Sequence, residues 1–412
     1  MAGGCRNAGA QTLTPRPLRV LYLSTLFPSA ARPGFGLFVA RQAEALAQRG
    51  DVELVVLHPV AIAPQPFDRF INTPATRALP AQMRDWGAEV HYPRYPWLPR
   101  IGPRWNPALI ARAVLPLARR LHAEHPFDLV DAQFFYPDGP AAARVAAALG
   151  LPLSIKARGS DIYLWGSIAY ARKQMLAAAG QAAGMLAVSA ALKADMAALG
   201  MPADKIAVHY TGLDHARFQP LPRNETRAAL VNEAGLAIPA TAPLLIGVGN
   251  LIPLKGHDLT IAALARLPDA HLILAGTGPE ASALQRQVHD LGLEARVHLL
   301  GSVKPDVLAR WLAASDVFVL PSEREGLANG WIEALACGTP LVISDVGGAR
   351  EVVLDAGAGR LAARDPQAIA RAVGELLANP PTQTEVAQNA ARFSWEQNAA
   401  QLAAHYQRII SR

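Results

Sequence analysis

Short apolar runs alternate with Ala-rich stretches of helical periodicity from residue 18 to the C-terminus. Runs that are apolar on both pleat faces belong to strands buried on both sides, so the pattern predicts parallel sheets covered by helices on each face. In the first half the predicted strands are 18–24, 52–59, 128–133, 151–157, 185–189 and 205–210. Helices over 38–50, around 107–124, 139–150 and 190–200 fall between them, and several run into a Gly, the residue that commonly closes a helix. The alternation breaks twice. From Ala61 to Pro107 the chain is dense in Pro, Arg and aromatics, with Trp86, Trp97 and Trp105 among them, and reads as a long functional loop region rather than core. At 218–227, FQPLPRNETR reads as a linker. Strands then resume at 243–249, 270–275, 297–301, 317–322 and 340–345, and an amphipathic helix runs from about Trp395 to Ile410.

The chain of 412 residues is too long for one core and suits two. The expected organisation is a flexible tail (1–17), an N-terminal domain (18–220), a linker (221–242), a C-terminal domain (243–390) and a final segment (391–412) whose helix packs back toward the N-terminal domain. The fold class is α/β, with two Rossmann-like doubly wound domains. Ligands of such sheets bind beyond the carboxyl ends of the strands, so a cleft between facing halves is the expected site.

Composition narrows the picture. With 51% hydrophobic and 17% charged residues the chain is neither disordered nor low-complexity. The net charge of +6 is uneven: residues 1–200 carry 21 basic and 12 acidic groups, residues 201–412 carry 18 and 21. A cationic N-terminal half can contact an anionic membrane without insertion, although a solvated basic face explains the charge as well. No nucleic-acid partner is expected. Two cysteines, Cys5 and Cys337, make no disulfide framework and fit a reducing compartment. The first 17 residues lack a secretion-signal layout, and the uncharged run Gln174 to Leu192 reads as helix, turn and buried strand rather than a span. A cytoplasmic protein, peripheral on the inner face of the plasma membrane, is the expectation.

The segment PSEREGLANGWIEALACGTPLVISDVGGAREVV (321–353) carries the strongest chemistry. A strand ends at Ser322, an acidic loop holds Glu323 and Glu325, and a helix from about Asn329 to Cys337 carries Glu333. Amides of Gly326, Leu327, Ala328, Asn329 and Gly330 lie at that helix's N-terminus, which favours phosphate or polar sugar oxygens. Two carboxylates eight positions apart, one on the loop and one on the helix, suit hydroxyls at separate places along an extended ligand. The plainer alternative makes Glu325 a solvated loop residue and Glu333 a surface charge.

This segment resembles the donor-binding signature of family 4 glycosyltransferases, retaining enzymes of the GT-B fold, and the resemblance covers nearly the whole chain. It implies that Glu325 meets the sugar hydroxyls and Glu333 the nucleotide ribose. It also matches VGNLIPLKGHD (248–258) to the loop whose Lys, here Lys255, contacts the donor diphosphate; Asn250 stands where the family usually has Arg. AGTGPE (275–280) matches a glycine turn with Gly276, and RPGFGLFV (32–39) matches the glycine loop near the transferred sugar, with Gly34 and Gly36. In KARGSDIY (156–163), Arg158 replaces a His that lies near the reacting centre in relatives, which removes imidazole chemistry and offers a cation for phosphate. SAALKADM (189–196) and HYTGLDHARFQP (209–220) match a serine-led helix and an Asn-Gly-x-Asp turn, with Thr211 in the Asn place and Asp214 and Phe218 structural. The implied catalytic residues are Glu325, Lys255 and Arg158.

The implied function is retaining transfer of a sugar from a nucleotide-diphosphate sugar, bound by the C-terminal domain (243–390), to a hydroxyl of a glycan or lipid-linked acceptor, bound by the N-terminal domain (18–220), in bacterial polysaccharide or glycoconjugate synthesis. The sugar nucleotide is a co-substrate, and no cofactor or metal is expected. A sugar-nucleotide epimerase of the same fold and a non-catalytic sugar-nucleotide-binding subunit are the alternatives.

Overall fold

The computed structural model of the chain describes residues 16–63, 74–97 and 102–411. In the first half, apolar runs form strands β1 (Leu18–Leu23), β2 (Val52–Leu57), β3 (Val60–Ile62), β4 (Gln82–Asp85) and β5 (Ala88–His91). They are followed by β6 (Arg94–Pro96), β7 (Leu129–Ala132), β8 (Leu153–Ala157), β9 (Gly184–Ala187) and β10 (Ile206–Val208). Eight of these make one sheet in the order β10-β9-β8-β7-β1-β2-β5-β4, parallel except for the edge strand β4; β3 and β6 form a separate parallel pair.

The second half holds β11 (Leu244–Val248), β12 (His271–Ala275), β13 (Val297–Gly301), β14 (Val317–Leu320), β15 (Leu341–Ser344) and β16 (Gly359–Ala362). They form an all-parallel sheet ordered β13-β12-β11-β14-β15-β16. In both sheets the strand order reverses beside the first strand, which opens a crevice at the carboxyl edge.

Three expectations need correction. The region Ala61 to Pro107 is not simply a loop: β5 pairs with β2, and Leu79, Val90, Tyr92 and Tyr95 are buried. Its alternation is too short and too broken by Pro to announce itself. Residues 64–73 and 98–101 of that region lie outside the described residues, as do residues 1–15 of the tail, with Cys5.

The stretch 221–242 is not a bare linker either. A helix, Arg223–Glu233, packs on the helix Pro305–Ala314 of the second half. Its anchor is Arg227, whose buried guanidinium donates to the Ala314 and Ala242 carbonyls and to Asp316. A buried Arg is tolerated because each of its three side-chain nitrogens finds an oxygen. Finally, β16 (GRLA) was not predicted, since a strand with an Arg at its second position lacks an apolar run.

The helix Trp395–Ile410 crosses back to the first half and lies along the helix Leu37–Ala47. Its inner face, Ala399, Leu402, Ala403, Tyr406 and Ile409, joins the same buried cluster as Val20, Tyr22 and Val56. Tyr406 donates its hydroxyl to Asp131 at 2.7 Å, inside the sheet. That contact fastens the last helix to β7 of the N-terminal sheet.

Candidate active site

The two carboxyl edges face one another across a cavity of about 590 Å³. The first half contributes Gly34 from the β1 connection, then Arg158, Val188 and Thr211 from just beyond β8, β9 and β10. The second contributes Gly249, Asn250 and Lys255 from beyond β11, and Glu325, Leu327, Ala328, Asn329 and Glu333 from beyond β14. Segments spread from residue 34 to residue 333 thus meet because parallel strands deliver their ends to one side.

Lys255 and Glu325 form an ion pair on the C-terminal wall of this cavity, with side-chain exposures of 17% and 11%. Lys255 ends a short 3-10 turn, Pro253–Lys255, and Gly256 follows in the left-handed region at φ 69°, where a Cβ would meet the Pro321 carbonyl oxygen at 2.5 Å. Gly256 therefore sets the turn that aims the ammonium at the β14 loop. Glu325 is held from its backbone: its carbonyl accepts the Tyr163 hydroxyl at 2.9 Å.

Glu333 sits half-buried on the helix Asn329–Ala336, on the cavity wall and not on the surface. Burial pushes its carboxyl up to about 7, only partly offset by Arg217. It is thus close to half-ionised at neutral pH, poised between accepting and donating hydrogen bonds.

Arg158 lines the cavity but turns its guanidinium inward. Its Nη2 donates to Gln133 at 2.5 Å and to Gln42 at 3.4 Å, its Nε donates to the Gln133 carbonyl at 3.2 Å, and it lies 5.0 Å over the Phe38 ring. Behind it, buried Lys156 donates to Gln42 at 2.8 Å and to His209 Nδ1 at 2.7 Å. His209 Nε2 lies 2.9 Å from the Asn398 carbonyl and must carry the ring proton, which leaves Nδ1 as an acceptor. Burial, reinforced by the Arg158 charge, lowers the Lys156 ammonium well below its ordinary value. Asp131, raised to about 6 by burial, accepts from Gln133 and Tyr406 in the same network. None of these partners was legible in the sequence, because residues 42, 131, 133, 156, 209 and 398 meet only in the folded sheet.

Three of the glycines predicted for the site do not line this cavity. Gly36 caps the helix Leu37–Ala47 at φ 73° and borders an adjoining space of about 300 Å³ that also reaches Asn329 and Glu333. Gly326 packs on the other half, where a Cβ would lie 2.8 Å from the Arg158 carbonyl oxygen. Gly276 lies beneath the floor, and a Cβ there would stand 1.8 Å from the Gly249 carbonyl oxygen. Gly276→Ala is expected to cost on the order of 3 kcal/mol of stability, read as a drop in melting temperature, because backbone and not a flexible side chain must move.

Sequence reasoning missed the contacts that hold the halves at this spacing. Glu351, on the short helix Ala349–Val352, accepts from the Ala190 and Ala191 amides at 2.9 and 3.2 Å and from the Tyr210 hydroxyl at 2.8 Å. It caps the helix Ala190–Ala198 from the opposite domain, alongside the cap from Ser189. Phe38, two residues beyond Gly36 in the quoted glycine loop, also lines the cavity and was overlooked because aromatics beside glycines read as core.

The family profile described as Glycosyltransferase Family 4 matches residues 33–217, and that described as Glycosyl transferases group 1 matches residues 231–393, so the two together span most of the chain. The chain belongs to glycosyltransferase family 4, group 1. It is 35% identical over 216 residues to a D-inositol 3-phosphate glycosyltransferase of Mycolicibacterium gilvum, a match covering 50% of this chain and 47% of that one. It is 37% identical over 181 residues to a GDP-mannose-dependent alpha-(1-6)-phosphatidylinositol monomannoside mannosyltransferase of Mycolicibacterium smegmatis, covering 41% and 46%. A Bacillus subtilis glycosyltransferase named for teichuronic acid biosynthesis matches more widely, at 29% identity over 80% of this chain and 82% of its own. The match spans about half the length of the first two relatives.

Among solved structures, sucrose-phosphate synthase from Thermosynechococcus elongatus superposes with a TM-score of 0.77 at 20% identity, covering 96% of this chain and 99% of that one. Anabaena HepE, solved in complex with UDP-glucose, gives 0.71 at 21% identity, covering 95% and 100%. These likenesses establish the GT-B fold.

Proposed function

We propose that this family 4 protein is a retaining glycosyltransferase that moves a hexose from a nucleotide-diphosphate sugar to a hydroxyl of a glycan or lipid-linked acceptor. The observation that carries the reading is the Lys255–Glu325 ion pair on the same cavity wall as Glu333. Glycosyl transfer needs a departing diphosphate stabilised as its charge develops, and a sugar held in fixed orientation. Lys255 supplies a cation for the diphosphate, and amides at the start of the helix Asn329–Ala336 supply further donors. Glu325 accepts hydroxyls of the transferred sugar, and Glu333 accepts those of the ribose. With Asn250 in place of a second cation, the helix terminus carries more of the neutralisation, since Arg158 turns its guanidinium inward onto Gln133 and Gln42. Donor binding uses these groups alone, and no metal is assigned to it. Two comparisons support a nucleotide-sugar donor: one relative is named for GDP-mannose and one structural neighbour was solved with UDP-glucose.

A turnover assay with a panel of UDP- and GDP-sugars tests this. Released nucleotide diphosphate together with transferred sugar supports the reading. A changed sugar nucleotide points to an epimerase, and binding without turnover points to a non-catalytic subunit.

We further propose a cytoplasmic setting with peripheral contact at an anionic membrane, in polysaccharide or glycoconjugate assembly. Among the described residues no helix is long and apolar enough to cross a membrane. The cationic N-terminal half carries the helix Gly102–Glu124, where Trp105 is 54% exposed beside Arg104. Sedimentation with phosphatidylglycerol vesicles is expected to retain the protein at low salt and release it at high salt. No retention at low salt contradicts the membrane contact.

A further inference from the structure

Arg158 keeps one part of its guanidinium for the cleft. Its Nε and Nη2 are spent on protein: Nε donates to the Gln133 carbonyl, and Nη2 to the side-chain oxygens of Gln133 and Gln42. Nη1 donates to no protein group among the described residues, yet it is not sealed away from solvent, and the half-buried residue lines the cavity. Both N–H groups of Nη1 are therefore open to a ligand.

The rest of the group is held in place. Gln42 donates its amide to the Tyr22 hydroxyl and to the Gln133 side-chain oxygen at 3.0 and 2.8 Å, which turns its own oxygen toward Lys156 and Arg158. Gln133 donates its amide to Asp131, which presents its oxygen to Arg158 and Gln42. The Phe38 ring lies 5.0 Å from the guanidinium carbon and covers one face. With both amide orientations fixed by their neighbours, Nη1 is aimed before a ligand arrives.

This cation has no counter-ion: no carboxylate among the described residues forms an ion pair with it, and its partners are neutral amides. The two buried acids nearby are committed elsewhere. Asp161 accepts the Phe135, Arg158 and Gly159 backbone amides at 2.7, 3.0 and 2.8 Å. Asp131 accepts from Gln133 and Tyr406, on the far side of Gln133. In the cleft itself, Glu325 is paired with Lys255. A half-buried guanidinium without a carboxylate favours a ligand that brings one.

Arg158 also stands at the sugar end of the cleft. A Cβ on Gly326 would lie 2.8 Å from its carbonyl oxygen, so Arg158 lies against the loop that carries Glu325. The groups assigned to the diphosphate, Lys255 and the start of the helix Asn329–Ala336, come from the opposite domain.

We propose that Arg158 selects a donor whose transferred sugar carries a carboxylate, a hexuronic acid, bound through Nη1. The inference rests on the nucleotide-sugar reading of the cleft and narrows it to an acidic sugar. Gln133 and Gln42 are positioning residues that hold the guanidinium for this contact.

Calorimetric titration of the full-length protein tests this with three pairs of donors: UDP-glucose and UDP-glucuronic acid, UDP-galactose and UDP-galacturonic acid, GDP-mannose and GDP-mannuronic acid. Each pair differs only at C6, and UDP and GDP alone are the references. In at least one pair the acidic sugar is expected to bind about tenfold or more tightly than its neutral twin, and Arg158→Gln is expected to bring that ratio to about one. Arg158→Lys keeps the charge but loses the planar fork, so the ratio should fall by about threefold or more; this variant carries the test should Arg158→Gln fail to fold. Neutral sugars that bind as tightly as acidic ones in every pair overturn the proposal, as does a ratio unchanged in the variants. Equal weakening of UDP, UDP-glucose and UDP-glucuronic acid in Arg158→Gln assigns Nη1 to the diphosphate and overturns it too. In each of these cases retained sugar-nucleotide binding leaves the functional reading standing, whereas no binding of any nucleotide or sugar nucleotide contradicts that reading and the inference with it.

Discussion

Lys255→Ala is expected to cut turnover with a sugar nucleotide by about a hundredfold or more, and Glu325→Ala to fall as far. Each removes one member of an ion pair that faces the cavity rather than the core. Water can therefore enter beside the orphaned charge, and both variants should keep the wild-type circular dichroism and a cooperative melt. In the free protein the pair neutralises itself. A bound diphosphate would share the ammonium, while the carboxylate is freed to accept sugar hydroxyls. Because the two act as one unit, the double variant should be little worse than the weaker single one. Steady-state kinetics on all three variants check this. Near-normal turnover in either single variant contradicts the assignment.

Glu333→Gln is expected to remove a pH dependence. With its carboxyl raised to about 7 by burial, wild-type protein ionises Glu333 as pH rises through neutrality, and only the carboxylate accepts two hydroxyls well. The donor KM should therefore fall between pH 6 and about 8 in the wild type and stay flat in the variant. Stability moves the other way. The folded carboxyl holds a proton that the unfolded chain has released, so its contribution is full at low pH and is lost as pH rises through about 7. Gln stays neutral throughout. The variant should match wild type near pH 5 and exceed it by about 1–3 kcal/mol at pH 8, a range discounted for residual exposure. Denaturant titrations at the two pH values measure the difference, and an equal offset at both contradicts the buried assignment.

What the sequence revealed follows from what each feature depends on. Strands β7 to β15 are short apolar runs between helices, a local signal, and they appear nearly where the pattern put them. The pairing of Glu325 with Glu333 was visible because a loop glycine, a helix start and two carboxylates stand within one segment of chain. The burial of Glu333 was not visible, since a lone helix carboxylate usually faces water, and only the opposing domain shows what covers it. Arg158 illustrates the same limit: its type suggested a phosphate cation, while its geometry depends on Gln42 and Gln133 from other strands and helices. The stretch 218–227 misled in the opposite direction: its prolines made it look like linker, while Arg227 anchors a packed helix. Contacts made by polar side chains over long chain separations leave no periodicity to read.

A crystal structure with a bound sugar nucleotide tests the central claim most directly. The account predicts the diphosphate at Lys255 and the start of the helix Asn329–Ala336, the ribose at Glu333 and the sugar at Glu325. A nucleotide seated elsewhere, with Lys255 and Glu325 still paired and untouched, would contradict it.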